Sequence, residues 1–176
     1  MTKTAVIYKS KYGSTKKYAS WISQRLNADV FESSKVNISK LREYDTLIFG
    51  GGLYADRISG ISFLTKNYEK LKEKNLIVFT VGIRNTDDSK MLKSIYKTNF
   101  KPEMKNNIAF FNYQGCLELD KLKSLDRIIM KMVINVRDKK SNKNQDDIDF
   151  VNVCKSGEDF CKKENICSLV SYVKSI

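Results

Sequence analysis

The chain has 176 residues, 41% of them hydrophobic and 30% charged, the length and balance expected of one globular domain with a substantial core. Histidine is absent, which excludes Ser-His-Asp and Cys-His catalysis and the His-Glu-x-x-His metal motif, so any enzymatic chemistry has to be carried by a cofactor. The formal charge of +12 favours acidic partners, although the lysines are spread along the whole chain and accompany no recognisable nucleic-acid motif.

The N-terminal residues Met1-Thr2-Lys3-Thr4 run straight into an apolar segment without the pattern of a signal peptide. No run of about 18 apolar residues follows, so a cytoplasmic protein is expected. Residues 4–8 predict a buried strand and 15–26 an amphipathic helix. Strands are then expected at 29–31, 46–49, 76–81 and 108–112, with helices at 61–72 and 89–96 and a weaker connector near 36–43. Short Val-, Ile-, Phe- and Leu-rich strands alternating with helices predict a doubly wound parallel sheet, and five strands suit the order 2-1-3-4-5. In such a sheet ligands sit at the C-terminal ends of the strands, beside the switch point between strands 1 and 3.

Three loops at those ends have unusual composition. The first is Ser10-Lys11-Tyr12-Gly13-Ser14-Thr15. A strand ending in hydroxyl residues and a glycine, then turning into a helix, aims free backbone N–H groups and the positive helix end at one spot, as a phosphate requires. The same string could also be an ordinary N-cap through Ser14 or Thr15. It matches neither the Gly-x-x-x-x-Gly-Lys-Ser/Thr nor the Gly-x-Gly-x-x-Gly phosphate motif. The second loop, Gly50-Gly51-Gly52-Leu53-Tyr54-Ala55-Asp56, reads as a glycine turn that lets backbone approach a flat ring, with Tyr54 as an aromatic face. The third is Gly82-Ile83-Arg84-Asn85-Thr86.

Beyond the fifth strand, residues 117–145 exceed what such a sheet needs. Within them Leu122, Leu125, Ile129, Met132 and Val136 repeat at helical spacing, with Ile128, Met130, Val133 and Ile134 widening the apolar surface. Lys121, Lys123, Arg127, Lys131, Arg137, Lys139 and Lys140 border it. Either this helix over 119–136 packs against the sheet, or it docks on an anionic membrane or a hydrophobic, carboxylate-bearing substrate. Cys116, Cys154, Cys161 and Cys167 have no Cys-x-x-Cys spacing and read as buried, reduced thiols.

The hydroxyl-rich loop at the first strand-to-helix turn, Ser/Thr-x-x-Gly-x-Thr, resembles the FMN phosphate loop of the flavodoxin family. The resemblance covers residues 1–115 and, more loosely, the C-terminal helix. It implies a single α/β domain over 1–176, a flavodoxin-like three-layer sandwich with a basic helical insertion after strand 5. It implies FMN as cofactor, with Ser10, Lys11, Tyr12, Gly13, Ser14 and Thr15 at its phosphate. Gly51, Gly52, Leu53, Tyr54, Val81, Gly82, Ile83 and Arg84 would surround its ring. The strong positive charge departs from ordinary electron-carrier flavodoxins, which are acidic.

Leu125-Asp126-Arg127-Ile128-Ile129-Met130-Lys131-Met132 is similar to a segment inserted in flavodoxin-like, menaquinone-dependent protoporphyrinogen oxidases, and residues 158–166 look like that family's C-terminus. This second resemblance implies an FMN-dependent oxidoreductase acting on protoporphyrinogen IX with a quinone acceptor. In that reading Arg127, Lys131 and Arg137 dock substrate or an anionic membrane from its inner face. The competing expectations are a basic flavodoxin carrying electrons between redox-partner proteins, and an FMN-free interaction protein whose first loop only caps a helix.

Overall fold

A computed structural model describes residues 2–83 and 89–176. In chain order the elements begin with β1 (Thr4–Lys9), α1 (Ser14–Leu26), β2 (Asp29–Glu32) and α2 (Ile38–Leu41). They continue with β3 (Thr46–Tyr54), β4 (Arg57–Ile58), α3 (Ser62–Thr65), α4 (Tyr68–Leu71) and β5 (Asn75–Gly82). The C-terminal half holds α5 (Ser89–Asn99), β6 (Ile108–Gln114), α6 (Ser124–Asp138), α7 (Gln145–Ser156) and α8 (Cys167–Ser175). None of the described helices is long and apolar enough to cross a membrane.

The parallel strands stand in the order β2-β1-β3-β5-β6, which is the expected 2-1-3-4-5 arrangement. The sixth strand, β4, is an addition: it pairs antiparallel with the end of β3 through Leu53–Ile58 and Tyr54–Arg57. Side chains alternate between the two faces of the sheet with the period of two that a strand imposes. Ile7, Phe49 and Val78 point to one face, where Leu41, Leu64, Leu71 and Ile95 of α2, α3, α4 and α5 cover them. Val6, Ile48 and Ile77 point to the other, beneath Tyr18 and Ile22 of α1 and Leu169 and Val173 of α8. Burial on both faces is why these strands read as unbroken apolar runs.

Three expectations need correction. The glycines 50–52 do not form a turn: they are strand residues of β3, paired with β1 and β5, and none has a positive φ. A Cβ on Gly50 would stand 2.1 Å from the Phe79 ring, so the glycine makes room for a core aromatic. The turn falls later, at Ala55 and Asp56, with φ of 45° and 64°. The single helix expected over 61–72 is two short ones: between them the Asn67 N–H donates to the Leu64 carbonyl, a tighter turn, while its side-chain amide donates to the Phe63 carbonyl.

The third correction concerns the insertion. It forms a 3-10 turn, Leu119–Lys121, then α6, and α7 follows where no helix was expected. These do not lie on the sheet. Leu117, Leu122, Ile134, Phe150, Val151 and Cys154 form a small core of their own, against which Tyr12 and Ile83 from the sheet-end loops also pack. The insertion is thereby fastened beside the C-terminal edge of the sheet.

Candidate functional site

The loop after β1 turns sharply at Gly13, whose φ of 100° is strained for any residue with a side chain. Helix α1 begins there without a side-chain cap. The Ser10 hydroxyl accepts the Gly13 N–H at 3.1 Å, and Lys17 N–H returns to the Gly13 carbonyl at 2.9 Å. The amides of Ser14, Thr15 and Lys16 precede the first intrahelical donor, the Lys17 N–H, and have no intrahelical acceptor, so they remain available to a ligand. The simple N-cap reading of Ser14 and Thr15 is therefore set aside, since neither hydroxyl closes the helix end.

Around this helix end lies a cavity of about 340 Å³, within the range of small-molecule sites. Ser10, Lys11, Tyr12, Ser14 and Thr15 form one wall. Gly52, Leu53 and Tyr54 at the end of β3, with Ser59 beyond β4, form a second. Val81, Gly82 and Ile83 at the end of β5 form a third. The three loops that the sheet topology designates thus meet at one place.

Neither Gly13 nor Gly51 is among the lining residues; Gly13 is the turn residue between Tyr12 and Ser14, which are. A Cβ at Gly51 would stand 2.6 Å from the Ser59 carbonyl oxygen, so that glycine serves the β3–β4 hairpin. Arg84 lies outside the described residues.

Residues beyond the expected set complete the cavity: Gly115, Cys116 and Leu117 after β6, and Leu122, Asp126, Ile129 and Met130 from the insertion. The Cys116 N–H donates to the Ser14 hydroxyl at 3.3 Å. A Cβ on Gly115 would come within 3.2 Å of the Ser14 Cβ and 2.8 Å of a Val81 methyl, so only glycine lets the β6 loop approach α1 this closely. A glycine just past the last predicted strand was the available signal for this fourth loop.

The insertion closes over the first loop through Asp126. Its carboxylate accepts a hydrogen bond from the Tyr12 hydroxyl and is paired with the Lys11 ammonium at 2.5 Å. Lys11 and Tyr12 together hold the Asp126 carboxyl below the usual carboxylate range, and Asp126 in turn raises Lys11. These two opposite charges cancel, and they are the charged groups among the described lining residues. The remaining surface is backbone, hydroxyl and apolar. Such a site accepts an anionic head at the α1 end and a flat apolar body between the strand ends and α6.

Of the three basic residues expected to dock a partner, the structure turns two inward. Arg127 donates to the carbonyls of Asp120 and Leu122, closing the turn before α6. Arg137 pairs with Asp146 and Asp147 and lies over the Phe150 ring at 4.3 Å, joining α6 to α7. Lys131 alone of the three is exposed without an ion-pair partner among the described residues. The thiols also differ from expectation: Cys154 is buried, Cys116 and Cys161 are partly exposed and Cys167 is exposed. Burial pushes the Cys154 and Cys161 thiols up to about 11, which keeps them protonated at neutral pH.

The sequence profile of a family described as "Flavodoxin domain" matches residues 5–144. An uncharacterized protein of Methanocaldococcus jannaschii is 31% identical over 107 residues, covering 59% of this chain and 67% of that protein. Oxidised flavodoxin 2 from Bacillus cereus is similar at a TM-score of 0.45 and 14% identity, over 85% of this chain and 98% of that one. A Lactobacillus acidophilus flavoprotein in complex with FMN is similar at a TM-score of 0.42 and 14% identity, over 65% of this chain and 93% of the other.

Proposed function

This chain belongs to the flavodoxin-domain family, and from that premise we propose that it is an FMN-dependent oxidoreductase. The residues present suit the cofactor. An uncapped helix end with a glycine turn and the Ser10, Ser14 and Thr15 hydroxyls suits its phosphate. The strand-end backbone from Gly52 to Tyr54 and from Val81 to Ile83 suits its ring. When bound, FMN would supply the electron and hydride chemistry, which the side chains do not provide by themselves. The protein's own part is to anchor the phosphate, fix the ring plane and keep water out with the apolar side chains of Leu117, Leu122 and Met130.

The finer reading is oxidation of protoporphyrinogen IX with a quinone as acceptor. The observation that carries it is the position of α6: the helix stands over the crevice at Asp126, Ile129 and Met130 instead of lying on the sheet. An electron carrier needs no such roof. A protein-to-protein carrier is the second reading, favoured by Tyr54, which is 46% exposed at the cavity and would leave that side open to a docking protein. Anaerobic mixing of the purified protein with protoporphyrinogen IX and a soluble quinone separates the two. Porphyrin formation that requires both FMN and quinone supports the enzyme, and none above the protein-free rate removes it.

The phosphate assignment has its own test. Replacing Ser14 and Thr15 together by Ala should weaken FMN binding about tenfold or more, through lost hydrogen bonds to a charged group, and change riboflavin binding far less. Equal losses for both ligands would place the phosphate elsewhere.

A further inference from the structure

Helix α6 leaves one side uncovered. Leu125, Ile128, Ile129, Met132 and Val136 recur at intervals of three, one, three and four residues and are 50–68% exposed. Together they form a ridge on a helix about 22 Å long. The opposite side of the helix, through Met130, Val133 and Ile134, packs into the small core shared with α7. The ridge is therefore apolar surface beyond what the fold itself uses.

The charges beside the ridge are unequally free. Its acids are taken: Asp126 by Lys11 and Tyr12, and Asp138 by Lys143 and Lys155. Lys131, one turn from Ile128, and Lys139, one turn from Val136, are exposed and have no ion-pair partner among the described residues. A partner for this face must accept apolar side chains and supply negative charge. A second copy of the chain would bring the same two lysines and no free α6 carboxylate to meet them, on a molecule of net charge +12. An anionic bilayer offers both: acyl chains below and phosphate headgroups at the level of lysine side chains, which keep their charge wet while their stems lie on apolar surface.

We propose that α6 seats the protein on anionic membranes, with the five-residue ridge below the headgroups and Lys131 and Lys139 among them. Ile129 belongs both to the ridge and to the cavity lining. Seating α6 therefore turns the cavity mouth toward the lipid, and the molecules delivered to it from that side are amphiphiles dissolved in the bilayer. The proposal stands on the ridge itself and is independent of which ligand fills the cavity.

Cosedimentation of the full chain with phosphatidylglycerol–phosphatidylcholine vesicles, and with phosphatidylcholine alone, tests it. The parent should prefer the anionic vesicles, and the preference should shrink with added salt. Lys131→Gln with Lys139→Gln should weaken anionic binding about tenfold. Ile128→Asp with Met132→Asp should weaken binding to both vesicles about a hundredfold. All four positions are exposed, so circular dichroism and FMN affinity, measured on the same samples, should stay at parent values and separate a failure here from a failure of the cofactor reading. Parent-like vesicle binding by both double variants overturns the proposal. So does a parent that ignores vesicles but sediments as a dimer which Ile128→Asp with Met132→Asp dissociates, since the ridge would then be a self-association face.

Discussion

Ile48 and Ile77, in the middle of the sheet, are shut off from water entirely, whereas five apolar side chains of α6 stand at least half exposed. The sheet has helices on both faces, so every inward position finds neighbours from two layers. The α6–α7 unit has one neighbour on one side, and its core is six buried residues. It compensates with polar fastenings: Arg137 to Asp146 and Asp147, Lys140 to Asp147, and Lys143 and Lys155 to Asp138. The pairs of Asp138 and Asp146 are mostly exposed and contribute little each, whereas Asp147 is buried and depends on Arg137 and Lys140 to keep its carboxylate paired. The two regions are therefore expected to have separate stabilities, the insertion loosening while the sheet remains intact.

The largest test of that separation is Phe79→Ala. Phe79 is completely buried in the sheet core against Tyr113, and its loss should cost about 3–5 kcal/mol and lower the unfolding midpoint of the whole chain. Denaturant unfolding followed by far-ultraviolet circular dichroism measures it.

Phe150→Ala should act on a smaller scale. It removes the ring beneath Arg137 and should cost about 3 kcal/mol, felt as faster amide exchange in α6 and α7 while β1, β3 and β5 keep their protection. Equal loss of protection in both regions would mean that the molecule unfolds as one unit.

The smallest effect is set by pH. Because the folded state lowers the Asp126 pKa, the link to Lys11 and Tyr12 contributes above the ordinary carboxylate value of about 3.9 and is lost as pH falls through the lower folded value. The Tyr12 ring resonances should therefore shift in acid below about pH 4, while the sheet resonances hold. Asp126→Asn should abolish that shift. A shift that survives in the variant would assign it to another group.

The strands of the sheet were legible because Val6, Ile48, Ile77 and their neighbours are apolar on successive positions in runs too short for a helix, as strands buried on both faces require. The first loop was legible as a glycine turn opening a helix, because the residues that shape it lie close together in sequence. Residues 50–52 were misread since a glycine that makes room for Phe79 looks the same in sequence as one that turns the chain; the partner lies 29 positions away from Gly50. Helix α7 was overlooked although Asn144 caps it, Asp146 and Asp147 sit in its first turn and Gly157 ends it. Its apolar stripe is short because it serves only the small core. The inward turn of Arg127 and Arg137 depends on carbonyls and carboxylates that a helical pattern does not reveal.

Gly13 and Gly50 resist replacement on different grounds, and this bears on how the chain can diverge. At Gly13 nothing lies within 4 Å of where a Cβ would stand, yet φ is 100°: the constraint is one of handedness. At Gly50 the backbone is ordinary and the constraint is volume, set by one aromatic ring. A volume can be traded between two positions, so a smaller residue at 79 opens the way to alanine at 50. Handedness has no second site to trade with. Related chains should therefore exchange bulk between positions 50 and 79 as a pair, while position 13 stays glycine by itself.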